Sequence, residues 1–233
     1  AAYSANSALD LDRDRAITRS EYMQNVVLKA RGYDLGATSL FATPTVSDLC
    51  FPLTRASYVR NNDDWGSPRD SSRCHAGNDF LEQGPGQVIA MDDGEVTKIM
   101  NNWVTGGCSD GWGAREKNVR NMAVAALLVY HPSLGVTVNY GEIDNDALAV
   151  REGETVHKGQ YLGRVSYCET FHMEVYNGRV QTTSSWNPSS VVLNEKNACA
   201  RSYQQSLTGG LADPRPLIRR LEEKFCEPVS KVS

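Results

Sequence analysis

From Gln87 onward the chain is written in short β-branched runs punctuated by Gly, Asp and Asn: GQVIA, GEVTKIM, AALLVYH, GVTVNY, QYLGRV and FHMEVY. Runs of this length bounded by turn formers predict strands, so this part of the chain is expected to form an all-β core. The longest apolar run, Met122 to Tyr130, has the length of a buried strand and falls well short of the about eighteen residues that a membrane span needs. Asn101 to Asn121 (NNWVTGGCSDGWGAREKNVRN) has no sustained period and is rich in Gly and Asn. It predicts a long surface loop of the kind that borders binding sites.

Helical spacing shows only toward the two ends. Val26, Val27 and Ala30, with Gly32 as a stop, predict a helix from about Arg19 to Arg31. Between Gly36 and Pro52 the composition turns to Ser, Thr, Ala and Pro, which reads as a linker and puts a boundary near residue 45. Residues 1–45 are therefore expected to be a helical segment with its linker, and residues 46–233 the main domain. After Tyr176 the chain becomes Ser/Thr-rich, and DPRPLIRRLEEKF then sets Leu217, Leu221 and Phe225 on one helical face with Pro216 in the first turn. That pattern predicts a short terminal helix packed on the β core.

Composition narrows the classes. A length of 233 residues with 40% hydrophobic content suffices for one good-sized core. The net charge of -4, with no dense Lys/Arg cluster among aromatics, argues against a nucleic-acid partner. Cys50, Cys74, Cys108, Cys168, Cys199 and Cys226 are widely spread with no CxxC pair. Disulfides are the better reading, and with them an oxidising compartment: a secreted, periplasmic or cell-surface protein. Their spacing does not choose the pairing. Ala1 to Ser7 lack the pattern of a signal peptide, as expected once a leader has been removed.

Candidate chemistry begins at RCHAGNDF, where His75 and Asp79 stand four residues apart on either side of Gly77. It continues through GEVTKI, LLVYHPSLGVTVNYGEI and VREGETVHKGQYLGRV to TFHMEV, which contains His172. Taken in order over about Phe51 to Leu221, these segments resemble the lysostaphin-type (LytM-like) zinc metallopeptidases, with their HxGxD and HLHFE motifs. The resemblance implies a mainly β fold, an antiparallel β-sheet groove domain, with zinc held by His75, Asp79 and His172. It also implies a peptidoglycan substrate: short cell-wall peptides, often containing Gly or D-Ala. Two imidazoles and a carboxylate suit zinc and leave a fourth position open, the arrangement of catalytic sites. Gly77 is expected to let the backbone turn so that the two side chains converge. Strand alternation in TFHMEV puts Phe171, Met173 and Val175 toward the core and Thr170, His172 and Glu174 toward the groove. Cys74, beside a ligand, is read as a disulfide partner.

Active members of that family carry two further histidines, the first of HxH and one in a YxH motif. Here Thr170 stands at the first position and Glu142, after Tyr140 and Gly141, at the second. His131 and His157 sit at a strand end and in a turn and replace neither. Two functions follow from the resemblance. In one, the protein is a zinc metalloendopeptidase with Glu142 as general base and Thr170 orienting water or substrate. In the other, it is a degenerate zinc-binding module that holds cell-wall peptides or a protein partner without hydrolysis.

A second metal motif lies at the N-terminus. DLDRDRAITRSE resembles an EF-hand calcium loop, with Asp10, Asp12 and Asp14 as carboxylates, Ala16 offering a carbonyl, Thr18 a hydroxyl or bridged water, and Glu21 both oxygens. Arg15 replaces the usual turn glycine. The same residues also read as a helix start, with Thr18 and Glu21 of TRSE forming a capping box. Both readings are open.

Overall fold

The computed structural model describes residues 49–56, 58–62, 65–67, 69, 74–82, 86–104, 124–183, 210–221 and 224–229. The expected N-terminal helix, the EF-hand-like loop with Asp10, Asp12, Asp14, Ala16 and Glu21, and the boundary near residue 45 lie outside them, as does most of the loop expected after Asn101.

The described strands are β1 (Tyr58–Asn61), β2 (Asn78–Glu82), β3 (Gln87–Ile89), β4 (Gly94–Val104), β5 (Val124–His131), β6 (Val136–Asp144), β7 (Thr155–Val156), β8 (Tyr161–Arg164), β9 (Thr170–Asn177) and β10 (Leu211–Ala212). Each apolar run singled out above falls on β3, β4, β5, β6, β8 or β9. The described residues are mainly antiparallel β-sheet with one short α-helix near the C-terminus. Seven strands follow the order β1-β2-β9-β6-β5-β4-β7, β10 pairs with β9, and β3 and β8 form a separate pair. One expectation needs correcting: Asn101 to Val104 are not loop but the last residues of β4.

Alternation sorts the main sheet into two faces. Val96, Ala125, Leu127, Val129, Val138, Tyr140, Phe171, Met173 and Val175 enter one core cluster with Phe51, Leu53, Val88, Met91, Leu162, Ile218 and Leu221. The opposite face carries Asn139, His172 and Glu174, all buried despite their polarity. The parity expected for TFHMEV is therefore the observed one.

The terminal helix, α1 (Arg215–Leu221), is shorter than the sequence suggests and buries Ile218 and Leu221, while Leu217 and Phe225 are only partly buried. Phe225 lies beyond α1 and packs its ring 5.1 Å from Phe51. Just ahead of the helix Asp213 accepts from the Arg215 amide at 3.0 Å. A disulfide between Cys50 and Cys226 ties the segment after α1 to the first described residues. Cys74 and Cys168 are also disulfide-bonded, so every described cysteine is oxidised. This agrees with an oxidising compartment. No helix among the described residues is long and apolar enough to cross a membrane.

Candidate metal centre

β9 lies between β2 and β6, and this order assembles the site. Asp79 of β2 pairs with His172 of β9, which pairs on its other side with Gly141 of β6. His75 lies just before β2, where its amide donates to the Ser67 carbonyl at 2.8 Å and its carbonyl accepts from the Gly66 amide at 2.9 Å.

Three atoms converge there. His172 Nδ1 is 2.8 Å from Asp79 Oδ1 and 3.1 Å from His75 Nε2, and His75 Nε2 is 3.3 Å from Asp79 Oδ1. Tetrahedral zinc bonded at about 2.0–2.1 Å holds its ligand atoms about 3.3 Å apart. The triangle needs to open by no more than about half an ångström, and its donor types are those zinc takes. His75, Asp79 and His172 thus form a buried group able to hold a metal ion.

Gly77 serves this cluster in a way the motif alone does not suggest. A Cβ there would lie 2.4 Å from His172 Nε2 and 2.6 Å from the Met173 carbonyl oxygen. The position needs glycine because an imidazole packs against its backbone, and Gly77 is not among the residues with positive φ. The expected freedom to turn is not the reason.

A buried polar chain backs His172. Its Nε2 is 3.1 Å from Glu174 Oε1, while Glu174 Oε2 accepts from Tyr176 Oη at 2.6 Å and Asn139 Nδ2 at 2.8 Å. With Nε2–H committed to Glu174, Nδ1 is the nitrogen left to face a metal. Burial opposes a charged His172, but the carboxylates of Asp79 and Glu174 outweigh it and push its pKa up to about 10. Burial likewise opposes the Asp79 and Glu174 charges, yet their hydrogen-bonded partners hold both carboxyls below the usual range. Arg69 completes the balance: its Nη2 donates to Asp79 Oδ2 at 2.5 Å and lies 2.7 Å from His75 Nε2.

Glu142 and Thr170 lie on the two strands beside the cluster, β6 and β9. Leu127 pairs with Tyr140 and Ala125 with Ile143, so Gly141 and Glu142 together oppose Ala126 in a β-bulge. Glu142 has φ of 62° there, a conformation that disfavours a side chain, and non-glycine residues held this way cluster at functional sites. Burial, with the Asp79 charge beside it, raises the Glu142 pKa to about 7. A bound divalent cation would draw it back down. Thr170 opens β9 on the groove face and donates its hydroxyl to the Cys168 carbonyl at 3.2 Å.

Sequence reasoning missed Trp103, Asn139, Tyr176 and Arg69. The Trp103 ring lies 5.3 Å from that of His172 and would be 3.0 Å from a Cβ on Gly141, so it packs over the bulge beside the cluster. His131 stands apart on the core face. It is fully buried between the Asp93 carbonyl, 3.1 Å from Nδ1, and the Tyr140 hydroxyl, 2.9 Å from Nε2. His157 is exposed.

No protein-family model matches the sequence, and no curated protein matches it significantly. Solved structures do resemble it. LytU is 19% identical with a TM-score of 0.40, over 74% of this chain and 88% of that one. CbpA from L. salivarius REN is 19% identical with a TM-score of 0.41, over 74% and 95%. Lysostaphin is 15% identical with a TM-score of 0.35, over 55% and 48%.

Proposed function

We propose that this protein is a zinc-dependent endopeptidase acting on the peptides of peptidoglycan, with His75, Asp79 and His172 as metal ligands and Glu142 as general base. The observation that carries the reading is the convergence of His75 Nε2, Asp79 Oδ1 and His172 Nδ1 within 3.3 Å of one another, beside the Glu142 carboxyl that feels their charges. The ordered motif resemblance supplies the substrate class. Zinc in such a site polarises the scissile carbonyl and makes water a better nucleophile.

The chain's own residues carry the rest. Glu142 follows directly on Gly141, the cross-strand neighbour of His172, and its carboxyl feels the charges of Asp79, His172 and His75, which supports its reading as the base. Ionised, it accepts a proton from the attacking water and returns it to the leaving amine. Trp103 shields the site on one side, and Glu174 with Asn139 and Tyr176 keeps His172 from rotating.

The experiment is cleavage of purified peptidoglycan together with elemental analysis. Wild type should carry about one zinc and cleave. Glu142→Gln should keep the metal and lose at least about a hundredfold in rate. Equal cleavage by both would mean that another residue is the base. A non-hydrolytic, peptide-binding groove is the second reading, favoured by the Thr170 hydroxyl, which is spent on a local carbonyl at the position of a missing proton carrier. Zinc without cleavage in wild type is its signature.

A further inference from the structure

A residue supporting a metal ligand bonds the ligand's far side. Glu174 does so for His172, taking Nε2 and leaving Nδ1 toward Asp79 and His75. Arg69 behaves in the opposite way. Its guanidinium lies 2.7 Å from His75 Nε2, the same atom that stands 3.1 Å from His172 Nδ1 and 3.3 Å from Asp79 Oδ1. The same Nη2 also donates to Asp79 Oδ2 at 2.5 Å.

We infer that Arg69 is an internal cation competing with a divalent metal for His75 and Asp79, so that loading the centre requires the guanidinium to leave. This rests on the metal-site reading above. An imidazole nitrogen that accepts has one in-plane lone pair, which serves either an Arg69 N–H or a metal bond. Guanidinium and metal are both positive, so charge repulsion reinforces the exclusion. With no metal bound, the Arg69 guanidinium is one of the charges that compensate buried Asp79, alongside His172.

The Arg69 side chain is 33% exposed, so it borders solvent rather than lying wholly in the core. Its stretch of chain is anchored beside the site, because the main chains of Gly66 and Ser67 are bonded to that of His75. Metal occupancy and the position of Arg69 are thereby coupled.

Competition between zinc and a chromophoric chelator, measured on the full chain, tests this with Arg69→Met, which keeps the aliphatic stem, and Arg69→Gln as a second variant. His172→Ala controls for the site. Both Arg69 variants should bind zinc at least about tenfold more tightly than wild type. They should melt below wild type in chelator and level with it at saturating zinc. Unchanged or weakened affinity in both, with His172→Ala still losing binding, overturns the competition while leaving the metal centre intact. If wild type binds no zinc, or His172→Ala binds as wild type does, the metal centre itself is wrong and the competition falls with it.

Discussion

His131 makes the acid stability of this domain predictable. Its ring is fully buried, with Nδ1–H donating to the Asp93 carbonyl and Nε2 accepting from Tyr140, whose oxygen accepts in turn from the Met91 amide at 3.1 Å. Burial lowers the His131 pKa from 6.5 to about 4, against smaller opposing effects of Asp92 and Asp93. In the unfolded chain the ring takes up a proton below pH 6.5, whereas in the folded chain it does not until about pH 4. Its contribution to stability is therefore complete above pH 6.5 and is lost as the pH falls from there to about 4. The depression of about 2.5 units, at about 1.4 kcal/mol each, amounts to about 3 kcal/mol. For a domain of this size that is a fall of roughly 6–12 °C in melting temperature. Other carboxylates titrate in the same range, so the assay is a difference: urea unfolding of wild type and His131→Gln between pH 7.5 and 4. The gap between the two should be widest at neutral pH and close by about 3 kcal/mol toward pH 4. A gap independent of pH refutes the reasoning.

Three further outcomes follow from contacts of the site. Gly77→Ala drives a methyl into the His172 ring, 2.4 Å from Nε2, and should cost about 1–3 kcal/mol in urea unfolding together with most of the zinc affinity. Glu174→Gln removes the charged acceptor that fixes His172 and should weaken zinc about 10- to 100-fold in a chelator competition, with little change in secondary structure by circular dichroism. Glu142→Gly relieves a backbone held at φ of 62° and should stabilise the domain, or leave it unchanged to within about 1 kcal/mol, while abolishing any peptidoglycan cleavage.

Local pattern alone determined much of this protein. The β-branched runs of β4, β5, β6 and β9 are legible because adjacent residues decide which face each side chain takes, and Phe171, Met173 and Val175 went to the core as their parity required. Short elements were not legible. β7 and β10 have two residues each, too few for a period, and β2 is buried at all five positions, so NDFLE shows no alternation to read. In α1 the stripe drawn through Leu217 and Phe225 gave way to Ile218, because the helix stops its described course at Leu221.

The site divides along the same line. The motifs could name His75, Asp79 and His172, but their approach spans 97 and 93 positions and depends on the register of β2 and β6 against β9. Register also set Asn139 opposite Glu174 and Gly141 beside Trp103. It explains why Gly77 is glycine: a ring from a distant strand occupies the space its side chain would need. Arg69 carried no signal in the sequence, since a lone arginine among polar residues is indistinguishable from a solvated one until the chain folds back on His75. Periodicity is written between neighbours in the chain, whereas the atoms that would hold a metal are neighbours only across strands, and only the tertiary structure brings them together.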